Sequence, residues 1–249
     1  MLWEDEKRMS FTGHLAELRD RLIHSGIFFL VTVVSCYCVS DWLFEIIAKP
    51  VRQAGFDVQW VVLSPLEGVI TKVKLAAIGG LTLSFPYIIW NICGFIFPGL
   101  HDKERKAAQV AIVGCGILSM VGVGVAYFLI LPYVMPYISQ WVPENVEIQF
   151  QLGQTVILIV KALLVFAIVF QFPMVVLVLV YLGILSPNTL REQRRFAIVG
   201  LAVAAAMFTP PDPMTMLIMM GPLVLLYEGS IWVSYLITWK KEKQVSNQD

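Results

Sequence analysis

Two carboxylates carry the most suggestive chemistry in the sequence. Glu17 stands in His14-Leu15-Ala16-Glu17-Leu18-Arg19-Asp20-Arg21-Leu22, and Glu104 in the run from Phe95 through Pro98 to Lys106. Each lies beside apolar anchors, Leu18 and Leu22 for the first, Phe95 and Pro98 for the second, in otherwise basic surroundings. A carboxylate is the natural bidentate partner of a guanidinium, so two on one face could take two neighbouring arginines. The plainer reading is local pairing, Glu17 with Arg21 and Glu104 with Lys103 or Arg105. Enzyme signatures are missing. His14, His24 and His101 form no H-E-x-x-H, and there is no G-x-S-x-G or phosphate loop. Neither catalysis nor a metal or cofactor is expected.

The elements that must position these groups follow from periodicity and composition. As a helix, Phe11, Leu15, Leu18 and Leu22 share one face, and His14, Glu17 and Arg21 form a polar flank. Residues 1–21 thus read as an amphipathic segment at a membrane surface. The chain has 249 residues, 58% of them apolar and 14% charged, with a mean hydropathy of +0.75. That is too apolar for a soluble domain and fits an all-α polytopic membrane protein. The zero net charge argues against a nucleic-acid partner. Met1 to Asp20 is polar and no small-residue site follows the first apolar run, so no cleaved leader is expected.

Six spans are expected. The first runs from Leu22 to Ser40. A long loop follows, with a short helix from Trp42 to Ala48 that stops before Pro50. Ser64-Pro65-Leu66-Glu67 is a capping box that opens the second span, which continues to about Phe97 with a kink at Pro86. The third span, Ala107 to Leu131, has a slim face of Gly114, Gly116, Gly122, Gly124 and Ala126. Pro132 to Gln154 is a loop without Lys or Arg. The fourth span, Thr155 to Leu182, holds Lys161 and Gln171, with a kink at Pro173. The last two spans are read as short: Phe196 to Phe208 would cover ~20 Å against a ~30 Å hydrocarbon core, and Met214 to Trp239 is interrupted by Pro222 and Glu228. Glu228 is expected to pair within the bundle. Cys36, Cys38, Cys93 and Cys115 all lie in apolar runs and read as buried fillers.

Orientation follows from the basic residues. Thirteen of the 18 Lys and Arg fall in the amino-terminal segment, the loops around 103–106 and 191–195, and the tail at 240–249. The positive-inside rule then places both termini in the cytoplasm. No inverted repeat is visible, which weakens a transporter reading.

His14-Leu15-x-Glu17-Leu18-Arg19-x-Arg21-Leu22 resembles the amino-terminal signature of the TatC subunit of the twin-arginine protein translocase. Later stretches resemble its other motifs in order: Ser64-Pro65; Phe95-x-x-Pro98-x-Leu100-x-x-x-Glu104-Arg105; Ala126-Tyr127-Phe128 with Pro132; and Thr209-Pro210-Pro211-Asp212. The resemblance covers nearly the whole of 1–249 and implies one integral membrane domain, a concave scaffold in a prokaryotic inner membrane. It implies a receptor for the twin-arginine signal peptide of folded proteins, with Glu17 and Glu104 contacting the paired arginines and Arg19, Phe95, Pro98 and Arg105 shaping the surface. Implied partners are the lipid bilayer, further copies of the chain, and single-span subunits of the TatA and TatB types. Gln171, Pro50 and Asp212 would contact partner helices, and the proton-motive force would drive transport. One departure stands out: Phe170-Gln171-Phe172-Pro173 has Gln where the family usually has a carboxylate, and Gln cannot titrate. The rival readings are a small secondary transporter lined by Gln171, Lys161 and Glu228, and a membrane-embedded enzyme using Glu or His acid-base chemistry.

Overall fold

The computed structural model describes residues 11–53, 59–96, 105–140, 149–181, 183–208 and 213–246. Among them the chain is a helical bundle: α1 (Phe11–Cys38), α2 (Ser40–Gln53), β1 (Trp60–Val61), α3 (Glu67–Ile96), α4 (Arg105–Val125), a π-helical turn (Ala126–Ile130), α5 (Leu131–Ser139), β2 (Phe150–Gln151), α6 (Leu152–Val169), α7 (Phe172–Tyr181), α8 (Pro187–Glu192), α9 (Arg194–Phe208) and α10 (Pro213–Ser246). Five stretches are long and apolar enough to cross a membrane: 15–38, 67–92, 113–137, 152–180 and 213–239. α9, with 15 residues, is shorter, about 22 Å at 1.5 Å per residue. Large apolar side chains such as Leu30, Val34, Leu225 and Trp232 stand exposed around the bundle, as lipid-facing surfaces require.

Glycine sets the closest helix approach. α1 packs along α3, and a Cβ on Gly80 would fall 2.8 Å from the backbone of Val33. At that crossing Thr32 Oγ1 donates to the Gly80 carbonyl at 3.1 Å. Of the expected slim face on the third span, Gly122 and Gly114 meet neighbours. A Cβ on Gly122 would come within 2.6 Å of the Phe166 carbonyl, and one on Gly114 within 3.1 Å of Met174. Gly116 and Gly124 face open space. Two cores result. One joins Phe166 and Phe170 to Met219, Leu223 and Tyr227 of α10. The other joins Ile47 and Val51 of α2 to Leu75, Val156 and Val160.

Several expectations need correction. α2 does not stop before Pro50 but runs through it to Gln53, with Pro50 buried. A proline inside a helix leaves the carbonyl four residues earlier without its partner. That carbonyl belongs to Ile46, and Tyr127 Oη donates to it at 2.7 Å. The third span likewise does not end at Leu131: the helix passes Pro132 and continues to Ser139. The π turn lies just before that proline, where Leu131 N–H reaches back five residues to Ala126. In the fourth span the helix breaks at Phe170 and Gln171, ahead of Pro173. The last two spans are not both short, because α10 has 34 residues and only α9 is brief. Pro222 is carried within α10. Cys38 is exposed, whereas Cys36 and Cys115 are buried as expected.

The two loops on the α2 side meet in a short parallel ladder, Trp60 with Phe150 and Val61 with Gln151. Glu67 holds it in place. Its carboxylate accepts from Leu63 N–H at 2.7 Å, Gly153 N–H at 3.0 Å and Gln151 Nε2 at 3.0 Å. The glutamate reaches backwards as a capping residue does, chiefly to Leu63 and more weakly to the Ser64 backbone, and α3 starts at Glu67. A Cβ on residue 153 would lie 2.9 Å from Glu67 Oε1, so glycine permits this contact.

Candidate functional site

The amino-terminal turns of α1 lie against the last turns of α3. α1 is one unbroken helix of 28 residues, so the amphipathic segment leads straight into the first span. On the leucine stripe, read as the face of an amphipathic segment at a membrane surface, Leu15 and Leu22 are exposed, at 49% and 58%. The side chains of Glu17 and Arg21 are the more enclosed, at 23% and 30%. The reason is the solvent. In lipid, apolar side chains lose nothing by facing outward, whereas polar groups must find partners within the protein.

Those partners are specific. Arg21 Nε and Nη2 both donate to Glu17 Oε1, at 2.9 and 2.6 Å. Arg21 Nη1 reaches the Asn91 carbonyl on α3 at 3.4 Å. Asn91 donates its own amide back to the Tyr87 carbonyl at 3.0 Å. A small cavity of about 40 Å³ lies beside them, lined by Leu18, Arg21, Leu22, Ile88, Asn91 and Phe95 among others. Glu17 Oε2 is buried and accepts no hydrogen bond among the described residues. The carboxylate therefore keeps one oxygen able to accept a further N–H, next to an aromatic and aliphatic wall.

The other expected residues are dispersed. Arg19 is exposed and pairs with Asp20 at 2.9 Å. Two positions along a helix from Glu17, it projects about 200° round the axis from it. Phe95 is joined to Glu17 through Arg21, which lines the same cavity. Arg105 opens α4. Its side chain lies outside the described residues, as do Pro98, Glu104, Asp212 and the His14 ring. Pro50 is buried in α2. Gln171 is only 6% exposed. Its Nε2 donates to the Cys115 carbonyl at 2.9 Å, while its Oε1 is unpartnered. Glu228 pairs with Arg194 of α9 at 2.7 Å, as expected.

Asn91, Tyr127 and Glu67 escaped sequence reasoning. For Glu67 the capping pattern hinted at part of the role; for the other two no local pattern exists. No group of three or more metal-ligating side chains occurs among the described residues.

Long apolar helices tied to one another by enclosed polar groups define a helical membrane protein. The family model of TatC, the Sec-independent protein translocase protein, matches residues 13–222. The chain belongs to the TatC family. It is 34% identical over 226 residues to the Sec-independent protein translocase protein TatC of Deinococcus radiodurans, covering 89% of this chain and 84% of that one. It is 31% identical over 245 residues to the TatC of Aquifex aeolicus, covering 94% and 98%. A crystal structure of the twin-arginine translocase receptor TatC superposes with a TM-score of 0.80 at 31% identity, covering 90% of this chain and 99% of that one. The chain is thus a protein-transport component rather than an enzyme.

Proposed function

We propose that this chain is the receptor subunit of a twin-arginine translocase, and that Glu17 and Glu104 together hold the paired arginines of a signal peptide. The supporting observation is the Glu17 carboxylate, half engaged by Arg21 and half unpartnered, beside the wall that contains Phe95. A guanidinium supplies the N–H that the remaining oxygen lacks. Arg19 is exposed on the other side of α1 and acts on the rim, steering or excluding charge. Pro98 and Arg105 complete the surface from the loop that carries Glu104. The chain crosses the membrane six times, α9 included, with both ends cytoplasmic, as one domain over 1–249 and as a concave scaffold in a cell inner membrane. Single-span subunits of the A and B types and further copies of the chain assemble on it, Gln171, Pro50 and Asp212 lie at positions where they dock, and the proton-motive force drives export. The brief α9 thins the bilayer locally.

The test is binding of a twin-arginine signal peptide to the purified protein, against the same peptide with both arginines changed to lysine. The arginine peptide binds more tightly, and Glu17→Ala/Glu104→Ala weakens it at least about tenfold, the weight of one charge-assisted hydrogen bond. Equal affinity for the two peptides, or unchanged affinity in the double variant, overturns the assignment.

A further inference from the structure

A membrane-depth cavity on the α2 side of the bundle has the form of a lipid site. Its inner part, about 310 Å³, is walled by Leu75, Gly79 and Leu83 of α3, Gly124 of α4, and Val160 and Leu163 of α6. Those α3 residues lie eight to sixteen positions after Glu67, about 12–24 Å along the helix. The wall offers no spare hydrogen-bonding proton, since Thr82 Oγ1 donates to the Ile78 carbonyl and Tyr127 Oη to that of Ile46. The chamber therefore suits hydrocarbon. A second chamber of about 440 Å³ shares Ile46, Tyr127 and Phe128 with it and adds Lys49, Gln53 and Pro132. Lys49 is exposed and has no ion-pair partner among the described residues, although Glu45 stands one turn earlier on the same helix. An apolar interior thus opens on a free ammonium and an amide.

We infer that this groove holds one anionic phospholipid of the leaflet on the α2 side, an acyl chain in the inner chamber and the phosphate at Lys49 and Gln53. The inner space exposes only apolar surface and opens to the bilayer along one side, so an acyl chain enters it without desolvating a polar group. A single flexible chain does fit, and the unpaired cation at the mouth selects negative over zwitterionic headgroups. The inference is independent of how signal peptides are bound.

The experiment is native mass spectrometry of the full chain extracted from nanodiscs of equal phosphatidylglycerol and phosphatidylcholine. The wild type retains one phosphatidylglycerol in preference to phosphatidylcholine. Lys49→Gln reduces that preference about fivefold. Gly124→Leu, whose Cβ meets nothing within 4 Å and whose side chain enters the chamber, loses retained lipid of both kinds. Leu83→Trp serves the same purpose should Gly124→Leu fold poorly. Equal retention of the two lipids by the wild type, or retention unchanged by either the headgroup or the cavity substitution, overturns the inference.

Discussion

Tyr127 and Pro50 make a sharp energetic prediction, because each explains the other. Pro50 has no N–H to give the Ile46 carbonyl, and Tyr127 Oη, at 2.7 Å, takes that place. Tyr127→Phe keeps the ring and its edge-on contact with Phe128, at 4.9 Å between centroids, and removes only the donor. The carbonyl is then left unpaired beside the apolar groove that Ile46 lines, which costs about 1–3 kcal/mol. In a Pro50→Ala background the residue-50 N–H can close the ordinary helical bond to Ile46, so the same Tyr127→Phe change costs little. The expected coupling energy is about 1–2 kcal/mol, roughly tenfold in the unfolding equilibrium at 1.4 kcal/mol. The assay is reversible unfolding of the four proteins of the cycle in one bilayer-like medium. Tyr127→Phe costing the same in both backgrounds, to within about 0.5 kcal/mol, refutes the reasoning.

Gly122→Ala should destabilise by about 1–3 kcal/mol, since its Cβ meets the Phe166 carbonyl at 2.6 Å, whereas Gly124→Ala should be neutral or slightly stabilising; thermal unfolding of the pair checks the contrast. Glu67→Ala should speed hydrogen exchange at residues 60–63 and 150–153 together, because one carboxylate ties both segments, and faster exchange in one segment alone would contradict that role. Arg194→Gln should destabilise by about 2 kcal/mol by leaving Glu228 unpaired within its span, and Arg194→Gln/Glu228→Gln should recover part of the loss; a double variant no better than the single one would deny the pairing its importance.

Five of the six expected spans were legible because their signal is simple: about twenty apolar residues cannot stay in water. The i, i+4 spacing of Glu17 and Arg21 was equally plain, and the pair forms. What local pattern could not reveal depended on contacts far along the chain. Pro50 and Pro132 read as stops because their missing N–H groups are visible in sequence, whereas the Tyr127 hydroxyl and the π turn that accommodate them are not. Cys38 was misjudged by a rule made for water: an apolar residue in a span has no cause to be buried. At the candidate site, nothing near Glu17 announces Asn91, which is 70 residues from Arg21. For Glu104 and Pro98 the expectation rests on motif alone, since both lie outside the described residues.

The disposition of in-span polar groups bears on the rival transporter. A solute path needs its polar residues to converge on one accessible space. Gln171 is directed into the contact between α7 and α4 and is nearly sealed. Glu228 is engaged by Arg194 between α10 and α9. Lys161 is exposed on α6, and none of the three lines the cavities found on the α2 side. Two of these groups brace separate helix contacts and the third faces outward, so among the described residues they share no common route. At the junction of α1 and α3 the unpartnered acceptor is Glu17 Oε2, buried beside the Arg21 that lines the small cavity there. On the proposed reading a guanidinium adds to Oε2 and leaves the two Arg21 bonds to Oε1 in place, once the side chains covering Oε2 move aside.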